Sequence, residues 1–384
     1  MRHRFLDLHV LQAVPAANLN RNDAQEPKTI DVGNTTRAMV SSQAWKRVIR
    51  LDIEEELKEP AARTRQLPAV LAEHLLARGW PADLAAFAGA QVARSATTGG
   101  LKTDPANNGR TLALAYVPAD ITDALADLCT DHRTALEDGH TDYTAATKKP
   151  ALKALLPTKK IAGILTRRTD SIALLGRMHA ELPDAHVEAA LQMAPAFTVH
   201  KADLQPDYFT SVEDWPRPGE SGSAHLQTAF LTTGLFYRYA TVNLTGLLDN
   251  LNADIDRARR VLTAFTDAYL MTLPQAKKTA TAHHSLPDLV HYTIRERRPV
   301  SYSAAFEQPV TAHPRGGYTQ PARDALASYA TAVDRLIGTR HRHAHGHAGT
   351  LDTPITELGT HHPSFEHLTA AVTATAYPHT RDTA

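Results

Sequence analysis

Phe5-Leu-Asp-Leu-His-Val-Leu-Gln12 alternates apolar and polar residues with a period of two, which demands a strand with one buried face carrying Leu6, Leu8 and Val10. Turn chemistry follows at Pro15–Asp23, then an irregular stretch to about Arg37. Ser41 or Ser42 next serves as N-cap to a helix whose apolar positions Trp45, Val48, Ile49, Ile53 and Leu57 recur at helical spacing, and Pro60 stops it. Strand and helix must therefore share one core.

From Leu67 to Leu156 the chain is alanine- and leucine-rich with helical periodicity, broken at Gly99-Gly100 and Asp104–Gly109. Alternation returns from His186 to His200, predicting a strand, although Glu188–Gln192 could begin a helix. Residues 201–227 carry Pro206, Pro216, Pro218, Gly219 and Gly222 and predict a long projecting excursion. Phe230–Val242 has the aromatic and β-branched content of a strand, Leu247–Met271 the period of a helix, and Asp288–Ile294 reads as a strand. Without the insertions the order is strand, helix, strand, strand, helix, strand. That is the ferredoxin-like order shared by RNA-recognition domains, though the same order hosts unrelated functions.

At 384 residues the chain is long for one domain, and 43% hydrophobic with 21% charged residues fits a globular protein. No apolar run approaches the ~20 residues that span a bilayer, and Met1-Arg2-His3-Arg4 leads into no signal-peptide apolar region, so no membrane partner is expected. The lone Cys129 excludes an internal disulfide, and a cytoplasmic location is expected. Lysine plus arginine equals aspartate plus glutamate at 41 each, so only charge distribution can point to a polyanion. Basic residues outnumber acids in the first fifty positions, and Lys148–Arg168 holds seven cations and no acid.

A phosphate-gripping site needs several cations, short donors and a helix N-terminus with free N–H groups. Ser41, Ser42 and Gln43 supply the donors, and Lys46, Arg47 and Arg50 follow, with Lys46 and Arg50 on one face and Arg47 to the side. The same pattern also suits a capped surface helix paired to Glu54. Asp203, Asp207, Glu213 and Asp214 surround Tyr208-Phe209 and argue against phosphate binding there, while suiting a basic surface on another subunit. Phe236, Tyr237 and Tyr239 lack RNP1 spacing and read as core. No phosphate loop, GxSxG elbow, HExxH motif or cysteine cluster is present, so neither a catalytic residue nor a metal or other cofactor is assigned. Arg340–His347 alternates histidines and could bind a transition metal, but without a carboxylate in the run it reads as a solvated loop.

Phe5–Leu11, Asn18–Asp23, Lys28 and Ser41–Arg47 together resemble the N-terminus of the CasC-type backbone subunit of type I-E CRISPR Cascade complexes. Gly176-Arg-Met178, Ala194–His200, Asp207–Asp214, Gly222–Leu226 and Thr233–Ala240 follow in that family's order, so the resemblance covers about half the chain. It implies an α+β protein with an RNA-recognition-motif-like palm (1–58, 160–200 and 228–384), a helical finger insertion (59–159) and a β-hairpin thumb (201–227). Its implied partners are CRISPR RNA, the target DNA strand, further copies of the chain and the other Cascade subunits. By motif position it implies that Arg21, Lys28, Ser41, Gln43, Lys46 and Arg50 grip the guide backbone, and that Met178 and Phe209 wedge at a displaced nucleotide. Ser42, Arg47 and the pair Arg167-Arg168 join the RNA-binding candidates, and Tyr208 joins the wedge. A metal-dependent ribonuclease using the histidine run, or an RNA-binding regulator that does not polymerise, are the rival expectations.

Overall fold

The computed structural model describes residues 3–107, 109–147, 151–212, 214–215 and 223–378. Arg2, Lys148, Lys149, Glu213, Pro216, Pro218, Gly219 and Gly222, on which sequence expectations rest, lie outside them. The chain forms two compact units, Met1–Ile53 with Leu191–Ala384, and Glu54–Ala190.

The first unit opens with β1 (Arg4–Ala17), β2 (Thr29–Val32), β3 (Thr35–Val40) and α1 (Ser42–Glu56), whose C-terminal turn runs into the second unit. The second unit follows with β4 (Ala61–Thr64), α2 (Leu67–Ala77), α3 (Ala82–Ser95), β5 (Thr103–Asp104), β6 (Arg110–Thr111), β7 (Ala115–Pro118), α4 (Ile121–Asp131), α5 (Arg133–Ala145), α6 (Thr158–Leu165) and α7 (Asp170–Leu175). The chain then returns to the first unit with β8 (Leu191–Met193), β9 (Ala196–Thr198), β10 (Leu204–Val212), β11 (Ser223–Asn243), α8 (Leu244–Asn250), α9 (Ile255–Met271), α10 (Lys278–Thr281), β12 (Leu289–Glu296), α11 (Thr319–Ile337), β13 (Arg342–Gly349), β14 (Thr360–His361) and α12 (Phe365–Ala376). The fold is therefore mixed α and β around one large sheet.

That sheet runs β14-β13-β12-β1-β11-β9-β3-β2, with β10 and β8 also paired to β11. At its centre β12, β1, β11 and β9 are mutually antiparallel. Leu6, Leu8 and Val10 are buried as their spacing requires, but so are Asp7, His9 and Leu11 on the opposite face. The strand is not half-exposed because Tyr302, Phe306 and the α11 residues Leu326 and Ala330 form a second core with Leu11 and Tyr237. Asp7 survives there through Arg295 at 3.3 Å, the Tyr239 hydroxyl at 2.8 Å and the Val300 amide at 3.0 Å.

Three segments differ from their sequence patterns for local reasons. The strand expected over 186–200 divides into β8 and β9 at Ala194-Pro195, because proline has no N–H to give a ladder. The helix expected over 247–271 breaks into α8 and α9 where Asn252 and Ala253 adopt φ of 57° and 60°, and Asp254 recaps α9 by accepting the Arg257 N–H at 2.9 Å. The histidine run is not a solvated loop: it forms β13, antiparallel to β12, with His347 opposite His291 and both rings buried.

In the second unit Leu71, Leu75, Trp80, Phe87, Leu125, Leu136 and Ile161 form one helical core around Cys129. Burial pushes that thiol up to about 12, so it is an inert core residue. This unit extends to Ala190 and so takes in α6, α7 and the Arg167–Met178 segment. Among the described residues no helix is long and apolar enough to cross a membrane.

Candidate nucleic-acid interface

The connection from β1 to β2 is shaped by asparagines. Asn22 and Glu26 exchange backbone and side-chain hydrogen bonds, closing a turn at whose base Arg21 bridges Pro27. Asn20 then joins three pieces of the site: its carbonyl accepts the Lys28 N–H at 2.8 Å, and its side-chain oxygen accepts the Ser41 N–H at 3.0 Å. Ser41 in turn caps α1 by accepting the Ala44 N–H at its hydroxyl, 3.4 Å away. Arg21, Lys28 and the first turn of α1 are thus brought to one end of the sheet. Asn18, fully buried, anchors the same loop by donating to the Gln25 and Phe230 carbonyls at 3.3 and 3.0 Å.

Arg21, Gln43 and Arg47 are exposed and Lys28, Ser41, Ser42 and Lys46 half-buried, so donors and cations of both segments reach solvent. Arg21 also donates to the Gln25 side chain at 2.7 Å. Arg50 departs from expectation: it is only 6% exposed and does not share an open face with Lys46. Helical spacing sets azimuth, not depth, and beyond the first turn Ile49, Ile53 and Glu54 are buried with it.

Trp45 packs inward, at 1% exposure, with the Arg238 guanidinium 3.9 Å over its ring. Arg238 lies equally over Tyr269 at 4.5 Å, donates to the Tyr269 carbonyl, and reaches the Gln12 side chain at 2.5 Å. Burial lowers this guanidinium to about 10, which leaves it charged at neutral pH. Arg238 therefore fixes the first turn of α1 beside the last turn of α9. An arginine inside an otherwise aromatic strand was the visible signal for it; for Asn20 the signal was only its place among turn-forming asparagines.

Asn20→Ala removes the acceptor for the Ser41 amide and is expected to cost about 1 kcal/mol locally, raising exchange of the 41–46 amides several-fold in hydrogen–deuterium exchange. Unchanged protection there would mean that Asn20 does not organise the helix start.

In the second unit Arg167 and Arg168 are exposed and line a cavity of about 250 Å³ with Lys58, Glu59, Asp120 and Thr169, where Arg167 pairs with Asp120 at 2.6 Å. Arg177, 4% exposed, binds the carbonyls of Thr166, Arg167, Tyr116 and Ala185 at 2.6–3.1 Å. Its pKa is lowered by burial and then by Arg168. Gly176 has φ 77°, and a Cβ there would lie 2.8 Å from Ala189, so only glycine fits. Beyond this rigid post Met178 stands 83% exposed.

Tyr208 and Phe209 are 66% and 41% exposed, but they lie within the paired part of β10, opposite Thr228 and Gln227, rather than in an unpaired loop. Strand alternation sends them to opposite faces of the β10–β11 ribbon, and Tyr208 shares its face with Pro206, Leu226 and Phe230. A two-stranded ribbon with an open apolar face is marginal alone and calls for a covering surface. Phe236 and Tyr237 are buried and Tyr239 half-buried, so they form core, as expected. The sheet face holding Tyr237 is closed by Tyr302, whose amide donates to the Tyr237 hydroxyl at 3.0 Å, so no base can stack there.

The histidine run meets a carboxylate after all, since Glu296 of β12 lies 3.3 Å from His341 and 3.1 Å from His343. Even so, no cluster among the described residues has the geometry to hold a metal ion.

A family described as CT1975-like protein matches residues 6–371. A chain of a "CRISPR RNA-guided surveillance complex, pre-nicking" is 37% identical, with a TM-score of 0.89, and the match covers 97% of this chain and 100% of that one. A chain of a "CRISPR RNA-guided surveillance complex" is 33% identical, with a TM-score of 0.79, over 96% of this chain and 99% of that one. No curated protein matches the sequence.

Proposed function

The chain belongs to the CT1975-like protein family, and on that premise we propose that it is a non-catalytic backbone subunit of a type I-E CRISPR Cascade surveillance complex in the cytoplasm. Several copies line up along one CRISPR RNA, hold its backbone and present its bases in short segments for pairing with target DNA. The observation that carries this reading is the likeness, over nearly the whole length of both chains, to a chain of an RNA-guided surveillance complex.

The architecture suits the role. The order β12-β1-β11-β9, with α1 and α9 joined through Arg238, suits an RNA-recognition-like palm. Its usual stacking face is closed, so the guide is held at the palm's end by Arg21, Lys28, Ser41, Ser42, Gln43, Lys46 and Arg47, through phosphates and independently of sequence. The β10–β11 ribbon serves as the thumb, and its apolar face is covered by the next copy and the guide. Tyr208 and Phe209, and Met178 on its rigid post, are the wedges that displace a nucleotide. The helical unit is the finger, and Arg167 and Arg168 add phosphate contacts.

Expression with the other subunits and a guide is expected to yield this chain bound to RNA of one defined length, in several copies per particle by native mass spectrometry. Recovery of the chain only as an RNA-free monomer would reject the proposal.

A further inference from the structure

Between α9 and β12 the chain makes an excursion whose shape is fixed twice over. The four-residue α10 is bounded by Lys277 at φ 54° and Ala282 at φ 43°, left-handed backbone that is unfavourable for a residue with a side chain. Such strain persists only where the surroundings enforce it. Here His283, 2% exposed, clips the loop, with Nε2 2.8 Å from the Pro274 carbonyl and Nδ1 2.7 Å from the Thr281 hydroxyl. The loop so held presents Lys277 and Lys278, both exposed and neither ion-paired among the described residues. No acid occurs from Thr272 to Pro287.

The loop also lies at the same end of the first unit as the grip. Arg238 carries Trp45, in the first turn of α1, and Tyr269, in the last turn of α9, on its guanidinium. Gln12, which accepts from Arg238, donates to the Ser285 carbonyl at 2.7 Å and so ties in the far end of the loop. Both ends of the excursion therefore reach the contact cluster that seats Trp45, and Lys46 is the next residue along α1.

We infer that Lys277 and Lys278 extend the grip, binding one or two further phosphates of the same single-stranded RNA. This rests on the RNA-gripping function proposed above. Two lysines on a rigid loop act as point charges for phosphate, without the planar fork that would read a base.

The test is a titration of the full-length chain with an unstructured single-stranded RNA across a salt series. Lys277→Asn/Lys278→Gln removes both charges and keeps a residue that tolerates left-handed backbone at 277. Its plot of log affinity against log salt should be shallower than that of the unaltered chain by ~0.7 for one phosphate or ~1.4 for two, and that of Lys46→Ala by ~0.7. Lys277→Arg/Lys278→Arg should keep the original slope, and all three variants the original urea midpoint. An unchanged slope in the double variant, where Lys46→Ala has lowered it, overturns this inference alone. Absence of RNA binding by the unaltered chain, or no change in any variant, overturns the gripping function itself.

Discussion

Arg238→Ala is expected to lower the unfolding free energy by about 3–5 kcal/mol, seen as a large fall in urea midpoint with little change in slope. Three losses combine. A large buried side chain is removed and leaves a cavity between α1 and α9. The Gln12 oxygen and Tyr269 carbonyl lose a charged donor inside the protein, at about 1–3 kcal/mol for each unsatisfied group. The desolvated guanidinium stack on Trp45 and Tyr269 disappears, worth about 2 kcal/mol. These overlap, so they do not sum. Arg238→Met refills much of the volume and should recover part of the loss, leaving the polar part. RNA affinity should fall in both variants although Arg238 is buried and touches no ligand, because Trp45 is what seats the first turn of α1. A loss below about 1 kcal/mol would mean that α1 is held by its apolar face alone.

How legible these features were differs by residue. Period-two alternation located β1, helical spacing and Ser41 located α1, and the aromatic run located β11, because each is a local pattern tied to one backbone geometry. The histidine run carried the same signal: His343, His345 and His347 alternate along β13, but histidine is a weak strand former and the period was masked by its chemistry. The break at Asn252-Ala253 was not legible, since left-handed backbone at alanine is imposed by tertiary packing. Depth was the least visible quantity. Nothing local distinguishes Arg50, which is buried, from Arg47, which is not, and nothing in Phe5–Gln12 reveals that residues 302–330 close its polar face. The cations proposed to hold RNA were legible as a motif, whereas Asn20, which ties the Lys28 and Ser41 backbones together, contributes only neutral hydrogen bonds and no charge.

That closed polar face makes the chain acid-sensitive. His9 lies fully buried, its Nδ1 2.9 Å from the Tyr237 hydroxyl and its ring stacked 3.9 Å from Tyr302. His291 beside it donates from Nδ1 to the Gly346 carbonyl at 3.0 Å. Both Nε2 atoms are buried without a hydrogen-bond partner among the described residues, so a second proton on either ring has nowhere to be stabilised. Burial is the main reason that His291 falls to about 3, with His345, His347 and Arg295 adding repulsion against the Gly346 hydrogen bond. Burial, then His291 and Arg295, likewise hold His9 well below its ordinary value. In the unfolded chain both rings take up protons below about 6.5, while in the native state they do not. The unfolded state thus binds more protons on acidification, and stability falls as pH falls, by about 1.4 kcal/mol per histidine per pH unit. From pH 7.5 to 5 the pair should cost about 4 kcal/mol. Asp7 acts in the opposite sense: burial outweighs Arg295 and raises its pKa, so protonation of the native carboxyl returns stability as pH falls and opposes the histidines. His200, His345, His347 and His362 are also lowered by burial and act in the same direction as the pair. Urea unfolding at pH 7.5 and 5.0 should therefore differ by about 4 kcal/mol through these two rings, and His291→Phe should shrink the difference by about 2 kcal/mol whatever its own baseline stability. Equal stability at the two pH values, or an undiminished difference in the variant, would mean that these rings are already protonated in the native protein.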